Sequence, residues 1–410
     1  MQGEPPPYEF FAPLPGYIPA SALASPIDNI SLFSSGSQVG EYNYKSDHLR
    51  VNLGPRRWGT RFPVYGFQDV VEGTVYFAKK CSHVVSVTAT LEGKVEITAS
   101  QGGSVAAASD DVILSQSVKL FEAVNPHSFG ADRSKPSATL SGEFNFALPF
   151  PAYITNGRDH LPPSQTLSQQ GTYCTINYNV KIDIVRKGLR RHERVTVLIM
   201  YLPRSSPPGR PQSDLIHETV MGHQDEEERF VTVDLHSSSS ARAALEKLQM
   251  SAQLTLPSPK LIAKAESLDI HLIRKAKIMS SSGGILQEII VSKAGLRYTD
   301  NSTEGVSRSH WALQLGKTQR HVSWKVDGLA EVKYSVRVAF KPPPCSVIKQ
   351  LPAFQHDEVV KLTSDPWLDP TVAEGSRHLP SLGLAPVGLT NDQLTTPDPH
   401  TSFSSPYTRL

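Results

Sequence analysis

Cysteine is scarce in this chain: Cys81, Cys174 and Cys345 are the three among 410 residues, and they lie far apart. An odd, dispersed set builds no disulfide framework, and no C-x-x-C pair or Cys/His spacing points to zinc. The pattern fits reduced thiols in a cytosolic setting. A charge excess is also missing. Lys and Arg number 41 against 39 Asp and Glu, for a net charge of +2, so no global field gathers nucleic acid or a strongly acidic partner. No run approaches the roughly 18 apolar residues of a membrane span. The first residues lack the basic stretch and apolar core of a secretory signal. A chain of this kind is expected to be cytoplasmic and to reach a membrane only by recruitment. Enzyme fingerprints are missing too: no G-x-S-x-G, no phosphate-binding loop, no G-x-G-x-x-G after a strand and no H-E-x-x-H. The reading is a binding protein, not an enzyme, with no cofactor and no metal.

What is present is proline at both ends and β pattern between. The chain opens MQGEPPPYEFFAPLPGYIPA, six prolines in twenty residues with no apolar period. Residues 1–40 and 371–410 are expected to be disordered arms. From residue 41 the signal alternates. In His83–Leu91 (HVVSVTATL) Val85, Val87, Ala89 and Leu91 point one way and Ser86, Thr88 and Thr90 the other, the period-two mark of a half-buried strand. Further strands are expected around Asp47–Gly54, Val75–Phe77, Val95–Thr98, Leu114–Phe121, Gly142–Leu148, Tyr173–Arg186 and Thr196–Tyr201. PRSSPPGRPQS at 203–213 reads as a break between domains. Strands resume at Arg229–Leu235, Ala252–Leu256, Ser267–Ala276, Leu286–Val291, His321–Lys325 and Val332–Phe340, and 351–362 supplies a last one. One segment, SARAALEKLQM at 240–250, has helix formers behind a serine run and predicts a short helix. The fold class is all-β: two tandem β-sandwiches, 41–205 and 214–370, joined by a linker at 206–213.

Several residues ask for a role. PPPY at 5–8 is a P-P-x-Y segment, with Pro5, Pro6 and Tyr8 in the defining places; LPGY supplies Leu14, Pro15 and Tyr17 in the looser L-P-x-Y form. Such a segment is the ligand of WW domains, because its prolines already hold the extended helix that two aromatic rings clamp, while the tyrosine fills a second pocket. Two sites on one arm raise the effective concentration at a tandem WW partner. The plain alternative is a proline-rich tail with no reader. RKGLRRHER at 186–194 places Arg186, Lys187, Arg190, Arg191 and Arg194 at a hairpin tip. It reads either as a cationic contact for anionic lipid or acidic cargo, or as a solvated turn. Arg56, Arg57 and Arg61 with Trp58 form a second cluster open to the same two readings. His217, Glu218, His223 and Asp225–Glu228 read as a charged loop more readily than as a metal site. Ser164 has no base paired with it and reads as structural. Ser34, Ser35, Ser37, Ser237–Ser240 and Ser280–Ser282 are candidate phosphorylation sites against plain loops. Lys79 and Lys80 are candidate ubiquitin acceptors, with nothing in the pattern to single them out.

The order of motifs in the first domain resembles a known family. GTVYF at 73–77, GEFNFALPFP at 142–151, LPPS at 161–164, TYCTINYNVKIDIVRKG at 172–188 and VTVLIMYLPRSSP at 195–207 are together similar to the N-terminal domain of the fungal α-arrestins. LTLPSP at 254–259, YSVRVAF at 334–340 and LPAFQHDEVVKLTSDPW at 351–367 are more loosely similar to the family's second domain. The resemblance implies two immunoglobulin-like, arrestin-type sandwiches. It also implies an adaptor whose PY motifs recruit a WW-domain HECT-type ubiquitin ligase to a plasma-membrane transporter or receptor. The cargo is then ubiquitinated and internalised, so the protein is expected at the plasma membrane and endosomes. Family members often carry their PY motifs in the C-terminal tail. Here Ser405-Pro406-Tyr407 lacks the paired prolines, so the N-terminal arm has to do the recruiting. The alternative is an arrestin-fold protein of endosomal sorting or scaffolding that uses no ligase. A sandwich hydrolase or lectin-like binder would need a polar pocket or metal site that the sequence does not outline.

Overall fold

The computed structural model describes residues 40–101, 104–123, 138–155, 157–169, 171–188, 192–207, 215–222, 231–238, 241–243, 247–255, 268–280, 283–301, 306–315, 320–340, 354–367 and 375–385. They form two β-sandwiches, as the alternating pattern requires. Strands of the first half are Glu41–Lys45 (β1), Leu49–Pro55 (β2), Val64–Tyr65 (β3), Val70–Gln101 (β4), Ser104–Glu122 (β5), Ala138–Pro149 (β6), Gln165–Gln169 (β7), Thr172–Arg186 (β8) and Glu193–Tyr201 (β9). All nine belong to one sheet that curls on itself. The cause is β4, which changes partners midway. Its first part, Val70–Phe77, pairs with β2 and β6; its second, from Val84 on, pairs with β5 and β8. Between them the register with β6 slips twice, around Cys81, and His83 takes a left-handed φ of 61°. A bulge of this kind bends a strand and re-aims it. It also shifts the alternation by one at its start: Val84, not Val85, is fully buried, and Val87, Ala89 and Leu91 then face the core as expected.

The core of this half is aromatic. The ring of Phe150 stacks on Tyr201 at 4.5 Å and meets Tyr178 edge-on at 5.6 Å. Tyr178 is fully buried, and its hydroxyl donates to the carbonyl of Pro162 at 2.7 Å, which removes the cost of burying a polar tip. Each such side chain contributes about 1.5–3 kcal/mol by leaving water. Phe144, Phe146 and Leu148 share a face as their alternation demands; Phe146 and Leu148 are buried and Phe144 packs against the core edge, near Phe77. Ser164 is buried, and it exchanges bonds with one residue: its amide donates to the carbonyl of Tyr201 and its Oγ accepts from the amide of Tyr201. That is a structural role.

Strands of the second half are Leu215–Gly222 (β10), Val231–Ser238 (β11), Ala241–Ala243 (β12), Lys247–Thr255 (β13), Leu268–Ser280 (β14), Gly283–Lys293 (β15), Gly295–Asn301 (β16), Val306–Gln314 (β17), Trp324–Val326 (β18), Ala330–Phe340 (β19) and Phe354–Thr363 (β20). They make a five-stranded sheet ordered β10-β11-β13-β17-β16 and a six-stranded sheet ordered β12-β20-β19-β14-β15, with β18 on β19. The sheets meet where the chain passes from β15 to β16: the amide of Ala294 donates to the carbonyl of Ile270 at 2.8 Å, and Ser292 Oγ donates to the carbonyl of Gln314. On the six-stranded sheet Arg337 holds Asp357 with two bonds, at 2.7 and 2.8 Å, and Glu288 with a third at 2.7 Å. Lys275 reaches Asp357 at 2.6 Å. One network thus joins β14, β15, β19 and β20.

Two expectations are corrected. The helix expected at 240–250 is absent among the described residues: Ala241–Ala243 pairs in parallel with β20, and Lys247–Thr255 pairs along its length with β17 and from Met250 on with β11. Helix propensity there amounts to tenths of a kcal/mol per residue, and two ladders of hydrogen bonds override it. The segment 371–410 is not uniformly free of structure. Residues 375–385 fold onto the body: Ser381 donates its amide to the carbonyl of Leu202, His378 Nδ1 donates to the carbonyl of Phe67, and Leu384 and Ala385 are buried. The fit is close enough that a Cβ on Gly66 would lie 2.2 Å from the carbonyl oxygen of His378.

Candidate functional site

An open cleft of about 830 Å3 lies between the sandwiches. Five parts of the chain position its walls: the turn at Phe67 and Gln68 between β3 and β4, the loop between β6 and β7, the connection 203–206 that leaves β9, strands β18–β20 with their flanks, and the segment 375–385. Backbone hydrogen bonds lock these parts together. The amide of Asp327, in the turn after β18, donates to Asp159 Oδ2 at 2.8 Å. The amide of Asp365 donates to the carbonyl of Ser205 at 2.9 Å, and Ser205 and Ser364 bond one another as well. On the rim the ring of Tyr153, half exposed, stacks on His160 at 4.7 Å.

The cleft's charges are unequal. Arg158, Arg204, Lys325, Lys333, Lys361 and Arg377 face Asp159, Glu331 and Asp365. Lys325 is neutralised by Asp327 at 3.1 Å and Lys333 by Glu331 at 2.8 Å. The carboxylates of Asp159 and Asp365 accept from the Asp327 amide and from Ser364 Oγ. Among the described residues, Arg158, Arg204, Lys361 and Arg377 enter no ion pair. Two buried donors also go without an acceptor, the indole Nε1 of Trp324 and Nε of Arg204. The lining therefore carries an excess of positive side chains, while these two N–H groups are closed off from the cleft.

None of the described residues that the sequence singled out as candidate sites lines the cleft. Pro5, Pro6, Tyr8, Leu14, Pro15 and Tyr17 fall outside the described residues, as do Arg190, Arg191 and the acidic run 225–228. Of the cationic hairpin, Arg186 is largely buried and bonds Glu193 at 3.1 Å, so it serves the fold and not the surface. Burial raises the pKa of Glu193, but hydrogen bonds from Ser46 and from His48 outweigh it and hold the carboxyl below its usual range. Arg194 is exposed and paired with Asp183, and Lys187 is exposed. In the other arginine cluster, Arg56 covers the ring of Tyr42 at 5.3 Å and Arg61 that of Phe62 at 5.5 Å, so both brace the sandwich. Cys81 and Cys174 are buried free thiols; burial pushes Cys174 up to about 12, which keeps it protonated and inert. Among the described residues no group of three His, Cys, Asp or Glu is gathered for a metal, and no helix is long and apolar enough to cross a membrane. The cleft carries no local sequence signal, since its residues come from five distant segments. No known family and no curated protein matches the chain.

Proposed function

We propose that this protein is an adaptor of arrestin type, which brings a WW-domain HECT-type ubiquitin ligase to a membrane-protein cargo and promotes ubiquitination and endocytosis of that cargo. The observation that carries the reading is the pair PPPY and LPGY, nine residues apart in the arm that precedes the sandwiches. Proline-rich segments dock at low entropic cost, and paired weak sites gain avidity on a tandem reader. The two sandwiches support the reading as rigid surfaces: strands hold loops and edges in fixed places, as a scaffold that contacts cargo requires. The protein works in this account from the cytoplasm, at the plasma membrane and endosomes. The test is ubiquitin transfer in a purified system. The full chain and a WW-containing HECT ligase should yield modified adaptor, and Tyr8→Ala should abolish most of that product. Equal modification of wild type and the double variant Tyr8→Ala/Tyr17→Ala removes the PY arm from the account. A ligase-independent sorting scaffold would then be the better reading.

A further inference from the structure

We propose that the outer edge of β15 is a self-association site, through which two copies of this chain pair β15 with β15, antiparallel, about a twofold axis at Glu288. The inference is independent of the adaptor reading and uses none of its residues. Three observations carry it. First, the edge is unguarded. Among the described residues β15 is hydrogen-bonded to β14 alone, so it ends its sheet, and its far side offers a row of backbone donors and acceptors. Edge strands are ordinarily kept short, or protected by proline or by charge. This one, GGILQEIIVSK, runs for 11 residues, has no proline, and holds two charged side chains, Glu288 and Lys293. Glu288 does not guard the edge, because it is drawn back over its own sheet to Arg337 Nη2 at 2.7 Å and Lys275 Nζ at 3.5 Å. Lys293 stands at the strand's last position. Second, the edge is apolar and open to water: Leu286 is 60% exposed, Ile290 50% and Ile289 37%. Covering such side chains is favourable in proportion to their area. Third, the pattern is self-complementary. Leu286, Glu288 and Ile290 share one face and pair with Lys277, Lys275 and Ile273 of β14. The two exposed apolar residues thus stand two places to either side of Glu288. A twofold axis at Glu288 sets Leu286 opposite Ile290 of the second copy, and Ile290 opposite its Leu286.

Charge does not oppose this register. The two Glu288 carboxylates that approach at the axis each bring two cations of their own copy, so they do not meet as bare like charges. The neighbouring registers that keep the faces would set Leu286 or Ile290 against Glu288 and lose both apolar pairs. Each copy uses its one β15 edge, so the assembly closes at two and does not grow into a fibre. One strand pair is a small interface, and a reversible dimer of micromolar affinity is expected.

The experiment is sedimentation velocity of the full chain from low to high micromolar concentration. Wild type should pass reversibly from monomer to dimer. Leu286→Lys and Ile290→Lys each place a charge in the paired face and should each weaken the dimer at least tenfold. Both side chains are at least half exposed, so neither change should move the thermal unfolding midpoint. The control Val112→Lys charges an exposed apolar residue of the first sandwich and should leave the dimer intact. Cross-linking tests the register. Cys81 and Cys174 are buried, and a Cys345→Ser background removes the third thiol. There Leu286→Cys/Ile290→Cys should give a disulfide-linked dimer under mild oxidation, and either cysteine alone should not, because each faces the other position across the axis. Dimer weakened by both edge variants and cross-linked by the cysteine pair supports the proposal. A monomer at every concentration overturns it and leaves the edge to an extended peptide of another protein. A dimer that both edge variants leave intact, or that Val112→Lys weakens equally, overturns it too. Cross-linking as complete with a single cysteine as with the pair overturns the axis at Glu288.

Discussion

Ser205 and Ser364 exchange hydrogen bonds: the amide of Ser205 donates to Ser364 Oγ at 2.9 Å, and the amide of Ser364 donates to Ser205 Oγ at 3.0 Å. One serine leaves the first sandwich and the other ends the last strand of the second. With the Asp365 amide on the Ser205 carbonyl, this joint ties the connection after β9 to the end of β20 beside the cleft. Ser364 is buried, so its hydroxyl is not replaced by water when removed. Ser364→Ala is expected to leave the Ser205 amide without its acceptor and to cost about 1–2 kcal/mol. Urea unfolding followed by fluorescence checks it. Hydrogen exchange at residues 203–206 should rise in the same variant, and an unchanged midpoint together with unchanged exchange would show that the joint lies elsewhere.

Gly93 is a packing position. A Cβ there would lie 2.6 Å from the ring of Tyr178, which is fully buried and tied through its hydroxyl to Pro162. Neither the ring nor the backbone of β4 can retreat without breaking a ladder or that bond. Gly93→Ala is expected to destabilise the first sandwich by roughly 1–3 kcal/mol. Thermal unfolding measures it. Tyr178→Phe in the same background should give no rescue, because the clash is with the ring and not with the hydroxyl.

Acid should weaken the second sandwich in two steps. His321 has its pKa lowered from 6.5 by burial and then by Arg274 and Arg320. The unfolded chain therefore takes up the proton first. Stability is complete above about pH 6.5 and falls as pH drops toward the folded value. His321→Gln should flatten that step. Asp357 is held down from 3.8 to about 2, first by its bonds from Arg337, with Lys275 adding to them against the cost of burial. Its contribution, on the order of 2 kcal/mol, is complete above about pH 4 and is lost as pH falls toward 2. Asp357→Asn should remove that second step and lower stability at neutral pH. Denaturant midpoints across the pH range separate the two.

Much of the fold was legible because burial is one-sided. Along β8 every second residue from Thr172 to Ile184 is buried, and the sequence alternates with it. Three things were hidden for physical reasons. The stretch 78–82, expected to separate two strands, is a bulge around Cys81 inside the single strand β4, since a bulge is a matter of partners and not of composition. The strand at Lys247–Thr255 was masked by helix formers whose preference is weaker than two flanking ladders. The docking of 375–385 rests on a few apolar residues and two backbone bonds, too little for any period to record. The cleft was illegible for a related reason, as Arg158, Arg204, Lys361 and Arg377 share no local pattern. The PPPY and LPGY segments of the proposal differ in kind: a linear motif stands complete in the chain itself and needs no fold to be seen.

The central claim is recruitment of a ligase by the N-terminal arm, and one affinity tests it most directly. Binding of the full chain to a tandem WW module of a HECT-type ligase should be measured for wild type, Tyr8→Ala and Tyr17→Ala. The account predicts measurable wild-type binding, loss of at least tenfold with Tyr8→Ala, about 1.4 kcal/mol or more, and a smaller loss with Tyr17→Ala as avidity falls. Wild-type affinity no better than that of Tyr8→Ala would contradict it.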